Sequence, residues 1–316
     1  MEYRQALVTG GAGFIGSHLV EALLEEGCAV NVLDDLSTGR LENLDPVRNR
    51  VTFFHGDIRD ARLLNAAAKD CGVVFHQAAV VSVAKTIQYP VESTEINDLG
   101  TLRVLEAARK NGVRKAVLAS SCAVYGDAPG LPKSEEMPPV PKSPYAVHKL
   151  TGEYYARLYT ELYGLSTVSL RYFNVYGPRQ DPSSPYSGVI SIFLSRGIQR
   201  KAPVIYGDGA QYRDFIFVKD VVTANLLAAS AENASGNVYN VGTGHFVRIL
   251  DLWKAVKARL NLAIEPEFAP HRDGDIRESL ADVHRAAEDL GFKAGCRFEA
   301  GLEQTLEWYT KNPPAS

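Results

Sequence analysis

Tyr145 and Lys149 stand four residues apart in the segment Ser143-Pro144-Tyr145-Ala146-Val147-His148-Lys149. Ser143 is a good helix N-cap and Pro144 suits a first helical turn, so the segment predicts a helix starting just before Tyr145. Positions four apart share one face of such a helix. A free tyrosine titrates near pH ~10 and is a poor base at neutrality. An ammonium beside it favours the phenolate and brings its pKa toward the working range. The pair alone is a weak signal, because an amphipathic helix with an exposed lysine gives the same pattern by chance. A hydroxyl source adds to it: Ser120 and Ser121 close the apolar run Lys115-Ala116-Val117-Leu118-Ala119. At the C-terminal end of a parallel strand, where ligands bind in such sheets, a serine can hydrogen-bond a reacting alcohol.

These groups need a scaffold, and the N-terminal stretch predicts one. Ala6-Leu7-Val8-Thr9 suits a buried strand, and Ser17 to Leu24 has helical spacing of apolar positions. Between them lies Gly10-Gly11-Ala12-Gly13-Phe14-Ile15-Gly16, readable as GxxGxxG from Gly10 or GxGxxG from Gly11. Glycines let a backbone turn tightly and approach a pyrophosphate, and the helix N-terminus then offers free N–H groups to the anion. Asp34 ends a second apolar run 18 residues beyond Gly16, near the offset of roughly 20 for a carboxylate that holds an adenosine ribose. Strand, glycine turn, helix and acid together favour dinucleotide binding over a purely steric turn. A nicotinamide cation bound beside Tyr145 would favour its phenolate further.

With 316 residues the chain can bury a substantial core in one large domain or two. Its formal net charge of -3, without long runs of like charge, argues against nucleic acid. No apolar run reaches the ~18 residues of a membrane span, and Met1–Gln5 enter the first strand with no room for a signal peptide. Cys28, Cys71, Cys122 and Cys296 are scattered and read as small hydrophobes, and histidines are too sparse for a metal site. A cytoplasmic protein is the expectation.

Strand and helix patterns alternate through the first half, which predicts an α/β fold with a doubly wound parallel (Rossmann) sheet. Further strands are expected at Val51–Ile58, Gly72–His76, Lys115–Ser121 and Val168–Tyr172, and helices around Ala61–Lys69, Glu95–Asn111 and Tyr145–Tyr163. After Asn174, Gly177-Pro178, Pro182, Pro185 and Gly188 mark a loop and the alternation becomes irregular. A dinucleotide-binding domain over 1–175 and a smaller substrate-binding region over 176–316 are therefore expected, with 215–235 packing back onto the first.

Taken in order, GGAGFIG, Asp34, HQAA (His76–Ala79), SSCAVYGD, YAVHK, RYFNVYGP (Arg171–Pro178) and YRDFIFVKD (Tyr212–Asp220) resemble the extended short-chain dehydrogenase/reductases, in their sugar-nucleotide epimerase branch. The resemblance runs from residue 5 to about 310. It implies NAD as cofactor, with Tyr145 as base, Lys149 as its tuner and ribose contact, and Ser121 as partner of the substrate hydroxyl. Ser121 rather than Ser120 stands at the family's spacing, four residues before Tyr125. Gly10, Gly13, Phe14, Ile15 and Gly16 would line the cofactor pyrophosphate, Asp34 its ribose, and Asp57 with Ile58 its adenine. Ala78, Ala79, Asn97 and Tyr172 would complete the nicotinamide side, with core packing as the alternative for these four. On the substrate side Asn174, Arg213 and Arg272 match positions that hold a nucleotide pyrophosphate, and Asp275 the carboxylate that takes its ribose hydroxyls. Ser279, four positions beyond Asp275, matches a sugar-pocket wall position.

The activity implied is NAD-dependent 4-epimerisation of UDP-hexoses through a transient 4-keto sugar, with Ser279 small enough to admit a 2-acetamido group. Family members that work beyond C4 place an acid just after the serine; this chain has Cys122-Ala123. UDP-glucuronate 4-epimerisation, 4-keto-sugar reduction and a non-catalytic nucleotide sensor remain as alternatives. The resemblance also implies a homodimer formed through the helices at 95–111 and 145–163.

Overall fold

A computed structural model of the chain describes residues 3–182, 188–271 and 277–312. The first half runs β1 (Gln5–Thr9), α1 (Phe14–Glu25), β2 (Ala29–Asp34), β3 (Val51–His55), α2 (Ala61–Ala68), β4 (Val73–His76), α3 (Val83–Gln88), α4 (Pro90–Thr94), α5 (Gly100–Lys110), β5 (Lys115–Ser121), α6 (Pro144–Tyr163) and β6 (Ser166–Tyr172). The second half runs β7 (Asn174–Tyr176), α7 (Val189–Ile198), β8 (Val204–Tyr206), β9 (Tyr212–Arg213), β10 (Phe215–Phe217), α8 (Val218–Ser230), β11 (Asn237–Val241), β12 (Val247–Arg248), α9 (Ile249–Leu260), β13 (Glu267–Ala269), α10 (His284–Leu290) and α11 (Phe298–Lys311). Among the described residues no helix is long and apolar enough to cross a membrane.

Seven strands form one parallel sheet in the order β11-β6-β5-β4-β1-β2-β3. Alternate side chains serve opposite faces: Val8, Val32 and Val117 join a core with α1 and α8, while Leu7, Leu33 and Ala116 join another with α2, α5 and α6. From β1 the chain works outward to β3 and then returns to β4 on the other side. That reversal leaves a crevice at the carboxyl ends of β1 and β4, the usual ligand site of such sheets. The turn after β1, Asp34, the loop after β4 and Ser121 all lie along this edge.

Sequence and structure differ in three places. β3 stops at His55 because Asp57 turns the chain, accepting the backbone N–H of Arg59 at 2.7 Å. The helix expected from Glu95 opens as one widened π turn, Glu95–Leu99, before α5. β11 is a seventh strand that the apolar pattern hid behind Asn237 and Asn240. Asn240 is fully buried and bound to Tyr125, Lys133 and Asp282, so it behaves as core.

Beyond residue 174 the sheets are pairs only: β7 with β10, β8 with β13, β9 with β12. Their shared core centres on Phe193, Trp253, Leu302 and Tyr309. Through α8 and β11 the chain meanwhile rejoins the large sheet. Trp253 is fully buried, edge-on to Phe193 at 5.7 Å, and its indole N–H donates to the Ile264 carbonyl. Trp253→Ala is expected to lower unfolding free energy by about 3–5 kcal/mol in urea titrations. A loss under ~1 kcal/mol would mean that this core collapses around the gap.

Candidate active site

Ser143 caps α6 as its sequence suggests, its Oγ accepting from the Ala146 N–H at 3.2 Å with Pro144 in the first turn. Tyr145 therefore stands at the helix start, against the carboxyl end of β5, where its hydroxyl hydrogen-bonds Ser121. The Ser121 Oγ also accepts from the Ala123 N–H at 3.1 Å. One turn further along, Lys149 Nζ lies 5.8 Å from the Tyr145 ring centre and donates to the Ala119 carbonyl at 2.7 Å. Strand alternation separates the two serines. Ser120 is buried and donates to Glu153, which is held by Arg171 through bonds of 2.9 and 2.7 Å.

Burial governs the electrostatics here. It pushes the Tyr145 hydroxyl up to about 12, and the Ser121 hydrogen bond only partly offsets this. It pushes Lys149 down to about 8, against the pull of Glu153. The expectation that Lys149 brings the phenol down is thus corrected for the protein alone. Loss of water around a phenolate outweighs an ammonium that lies off the ring and is itself close to losing its proton. His76, pushed down to about 3 by burial, and His148, also lowered by burial, are neutral neighbours of Lys149.

The turn after β1 fits a dinucleotide. Gly10 has φ +68°, a Cβ there would meet the Ala78 nitrogen at 2.7 Å, and a Cβ on Gly16 would meet the Gly10 carbonyl at 2.1 Å. Gly13 caps α1 without a side chain and the first turn carries no acid, so its N–H groups face an incoming anion unopposed. Phe14 and Ile15 lean on the second-half core. Asp34 is buried at the end of β2, where its oxygens accept from Ala12 and Leu36 N–H at 2.9 Å each and keep further lone pairs for ribose hydroxyls. Arg40, the nearest cation in sequence, is paired with Asp181 at 2.9 Å.

Other expected cofactor contacts are committed to the fold. Asp57 holds Arg59 with both oxygens, and those bonds outweigh burial to keep its carboxyl below the usual range. Ile58 is buried against Gly100. Asn97 grips Val80 through both amide atoms, at 2.8 and 3.0 Å, and reaches His148 at 3.2 Å. The Tyr172 hydroxyl is occupied by Asn225 and Gln77. Ala78 packs on the glycine turn, and Ala79 lines a small cavity beside Lys149.

On the opposite wall the Cys122 thiol hydrogen-bonds Ser279, within electrostatic reach of Arg213, and burial pushes it up to about 11. Ser279 is itself buried, its backbone laid along Tyr212–Asp214 by bonds of 3.2 and 2.9 Å. Asn174 donates to the Asp214 carbonyl at 3.0 Å, and Arg213 to the carbonyls of Tyr212 and Arg277. Arg272 and Asp275 lie outside the described residues. Sequence reasoning missed Glu153, whose signal was a third i+4 step after Tyr145 and Lys149. It also missed Asp214, which lies inside a quoted motif and carries four hydrogen bonds from Thr243, Gly244 and Ala281.

Comparison with known proteins places the chain in a family. The family model described as the NAD dependent epimerase/dehydratase family matches residues 6–242. The UDP-glucose 4-epimerase of Mycolicibacterium smegmatis is 43% identical over 309 residues, covering 96% of this chain and 98% of that protein. The crystal structure of the Thermotoga maritima UDP-glucose 4-epimerase with UDP-glucose superposes with TM-score 0.93 at 39% identity, covering 98% of this chain and 99% of that one. The UDP-N-acetylglucosamine 4-epimerase of Methanobrevibacter ruminantium, in complex with UDP-N-acetylmuramic acid, gives 0.95 at 39% identity, covering 99% and 100%. A glycine cradle, a buried acid at the end of β2 and a Tyr–Lys–Ser set on a seven-stranded parallel sheet thus belong to a chain of the NAD dependent epimerase/dehydratase family, a sugar-nucleotide enzyme whose cofactor is NAD.

Proposed function

We propose that this protein is an NAD-dependent 4-epimerase of UDP-hexoses that acts on UDP-glucose and UDP-galactose and on their 2-acetamido counterparts. The observation that carries this reading is the Tyr145–Ser121 hydroxyl pair, backed by Lys149 and faced by Cys122 and Ser279. The chemistry that bound NAD supplies is reversible hydride acceptance at sugar C4. Tyr145 takes the proton of the 4-hydroxyl as the 4-keto sugar forms and returns it to the same oxygen when C4 is reduced on either face. Ser121 hydrogen-bonds the same oxygen and steadies the proton in transit. Lys149 stabilises the phenolate while it exists. Arg213 and Asn174 would hold the nucleotide diphosphate, and the resemblance adds Arg272 for the diphosphate and Asp275 for the ribose.

The reading stops at C4 because of Cys122. A thiol pushed up to about 11 stays protonated, so it provides no base to carry the sugar on to dehydration or decarboxylation. A homodimer through α5 and α6 is part of the same proposal. Tyr154, Leu158 and Leu162 support it, recurring every four residues along α6 and all exposed.

The deciding experiment incubates the protein with UDP-glucose, UDP-galactose, UDP-GlcNAc, UDP-GalNAc and UDP-glucuronate and resolves products by proton NMR. Interconversion of the four neutral sugars is expected. Turnover of UDP-glucuronate alone would replace the reading. Tyr145→Phe is expected to leave NAD bound while cutting kcat by about 10²-fold or more, since packing survives and the proton acceptor does not. Near wild-type turnover would refute the assigned base.

Ser279 tests the sugar assignment. Its burial against Cys122 supports a place in the pocket wall. Ser279→Tyr fills the space that a 2-acetamido group requires. It is expected to abolish turnover of the acetamido sugars and to spare UDP-glucose and UDP-galactose. Equal loss on both substrate classes, or no loss on either, would remove Ser279 as the size filter.

A further inference from the structure

Glu153 follows Lys149 by four residues on α6, so Tyr145, Lys149 and Glu153 descend one helix face. The Glu153–Arg171 pair is sealed from water, with side chains 4% and 5% exposed. Glu153 Oε1 accepts from Ser120 Oγ and from Arg171 Nε at 2.9 Å, and Oε2 accepts from Arg171 Nη2 at 2.7 Å. The guanidinium is braced on its other side by the Tyr125 ring, 4.7 Å away. A carboxylate so fixed cannot rotate or take up solvent.

Lys149 and Glu153 line one small cavity, and each element packed around it contributes a neutral group. β4 gives His76 and α6 gives His148, both kept neutral by burial. The π turn gives Asn97, α5 gives Thr101 and β5 gives Ser120. Tyr145, at the head of the same face, is protonated in the protein alone. Among the described residues lining this cavity, Glu153 therefore carries the only negative charge.

We propose that Glu153, fixed by Arg171 and Ser120, is a positioning residue that keeps Lys149 an ammonium and so sets the upper pH limit at which Tyr145 can work. The inference rests on the reading of Tyr145 and Lys149 as the reacting pair. Burial already brings Lys149 down to about 8, and Glu153 opposes that fall. Without its charge the ammonium is lost at lower pH, and the alkaline limb of turnover moves to lower pH with it. Of the two charges in the Glu153–Arg171 pair, it is Glu153 that acts on Lys149. The Ser120 bond adds a second consequence. It anchors β5 one residue before Ser121, so the same carboxylate aligns the serine that meets Tyr145.

The test titrates Lys149 directly. Lysines of the whole protein are dimethylated with carbon-13 formaldehyde, the Lys149 signal is assigned by its loss in Lys149→Arg, and its shift is followed against pH. Glu153→Gln is expected to lower the Lys149 midpoint by about one pH unit and to move the alkaline limb of kcat equally. That variant leaves Arg171 charged and unpaired in the core, so Glu153→Gln/Arg171→Gln, which removes both buried charges, is measured beside it. The same drop is expected there, and Glu153→Asp should restore most of the wild-type limb. An unmoved midpoint in either folded variant, or a lower kcat plateau with the limb in place, overturns the proposal. If the wild type turns over no UDP-sugar, the functional reading fails while the Lys149 titration still decides this one.

Discussion

The structure depends on how closely two stretches of backbone pass each other at the carboxyl edge of the sheet. The turn after β1 is tied on one side to β2, through the Gly10 N–H and the Leu33 carbonyl at 2.8 Å, and on the other to the loop after β4, through Gln77 and Thr9 at 3.1 Å. At Gly10 and Gly16 a single added methyl group would overlap backbone, so the contact sets residue type as well as shape. From this seam a buried polar line runs across the sheet. Thr9 meets His76 at 2.7 Å, His76 meets Thr101 at 2.9 Å, and Asn97 then grips Val80 and His148. The loop carrying Ala78 and Ala79 is thereby fastened between the glycine turn and α6. The cradle for the cofactor and the helix bearing Tyr145 and Lys149 are held by one continuous set of contacts.

Such packing leaves the reacting groups half-buried. Water would solvate both a phenolate and an ammonium, and its exclusion drives Tyr145 and Lys149 toward their neutral forms together. A half-buried Tyr–Lys pair therefore depends on fixed charge or dipoles around it to hold its charged forms. Ser121 offers one hydrogen bond to the phenol, and the Ala119 carbonyl offers one to the ammonium. Both are weaker than a full opposite charge, which the fold places one helical turn below at Glu153. A third group down the same face of α6 thus opposes the loss of charge that burial imposes on Lys149.

How legible this was in the sequence follows from the kind of interaction involved. Elements that announce themselves by local chemistry were readable: the glycine turn, the Ser143–Pro144 helix start and the six apolar strands. β11 was not, because Asn240 is polar by type and core by position, its hydrogen bonds coming from residues 42 to 115 positions away. Asn97 and Tyr172 show the same limit from the other side. Both lie near the expected nicotinamide side, yet their polar atoms are occupied by Val80, His148, Asn225 and Gln77, partners that no local pattern names. The rise that burial imposes on the Tyr145 pKa in the protein alone was hidden for a related reason. Spacing places Lys149 on the same face, but only the packed structure says how much water both have lost.

Asp214 shows how the second half of the chain is made to serve the first. Its buried carboxylate accepts from Thr243 twice, from Gly244 and from Ala281, while its carbonyl takes both the backbone N–H and the side-chain amide of Asn174. A carboxylate at 0% exposure is unfavourable unless its lone pairs are filled; here two stretches of chain fill them while a third binds the carbonyl of the same residue. These stretches are the loop after β11, the segment bearing Ser279 and Ala281, and the strand start after β6. They carry or adjoin the groups assigned to the sugar and diphosphate, so one desolvated charge fixes the distance between them. Because β11 is also the edge strand of the large sheet, the wall holding Ser279 is registered against β5 and Tyr145 through backbone pairing and not through side-chain packing alone. A wall built this way can exchange one residue, such as Ser279, while backbone pairing holds Tyr145 and Ser121 in place, which is what the proposed selection of sugars by size requires.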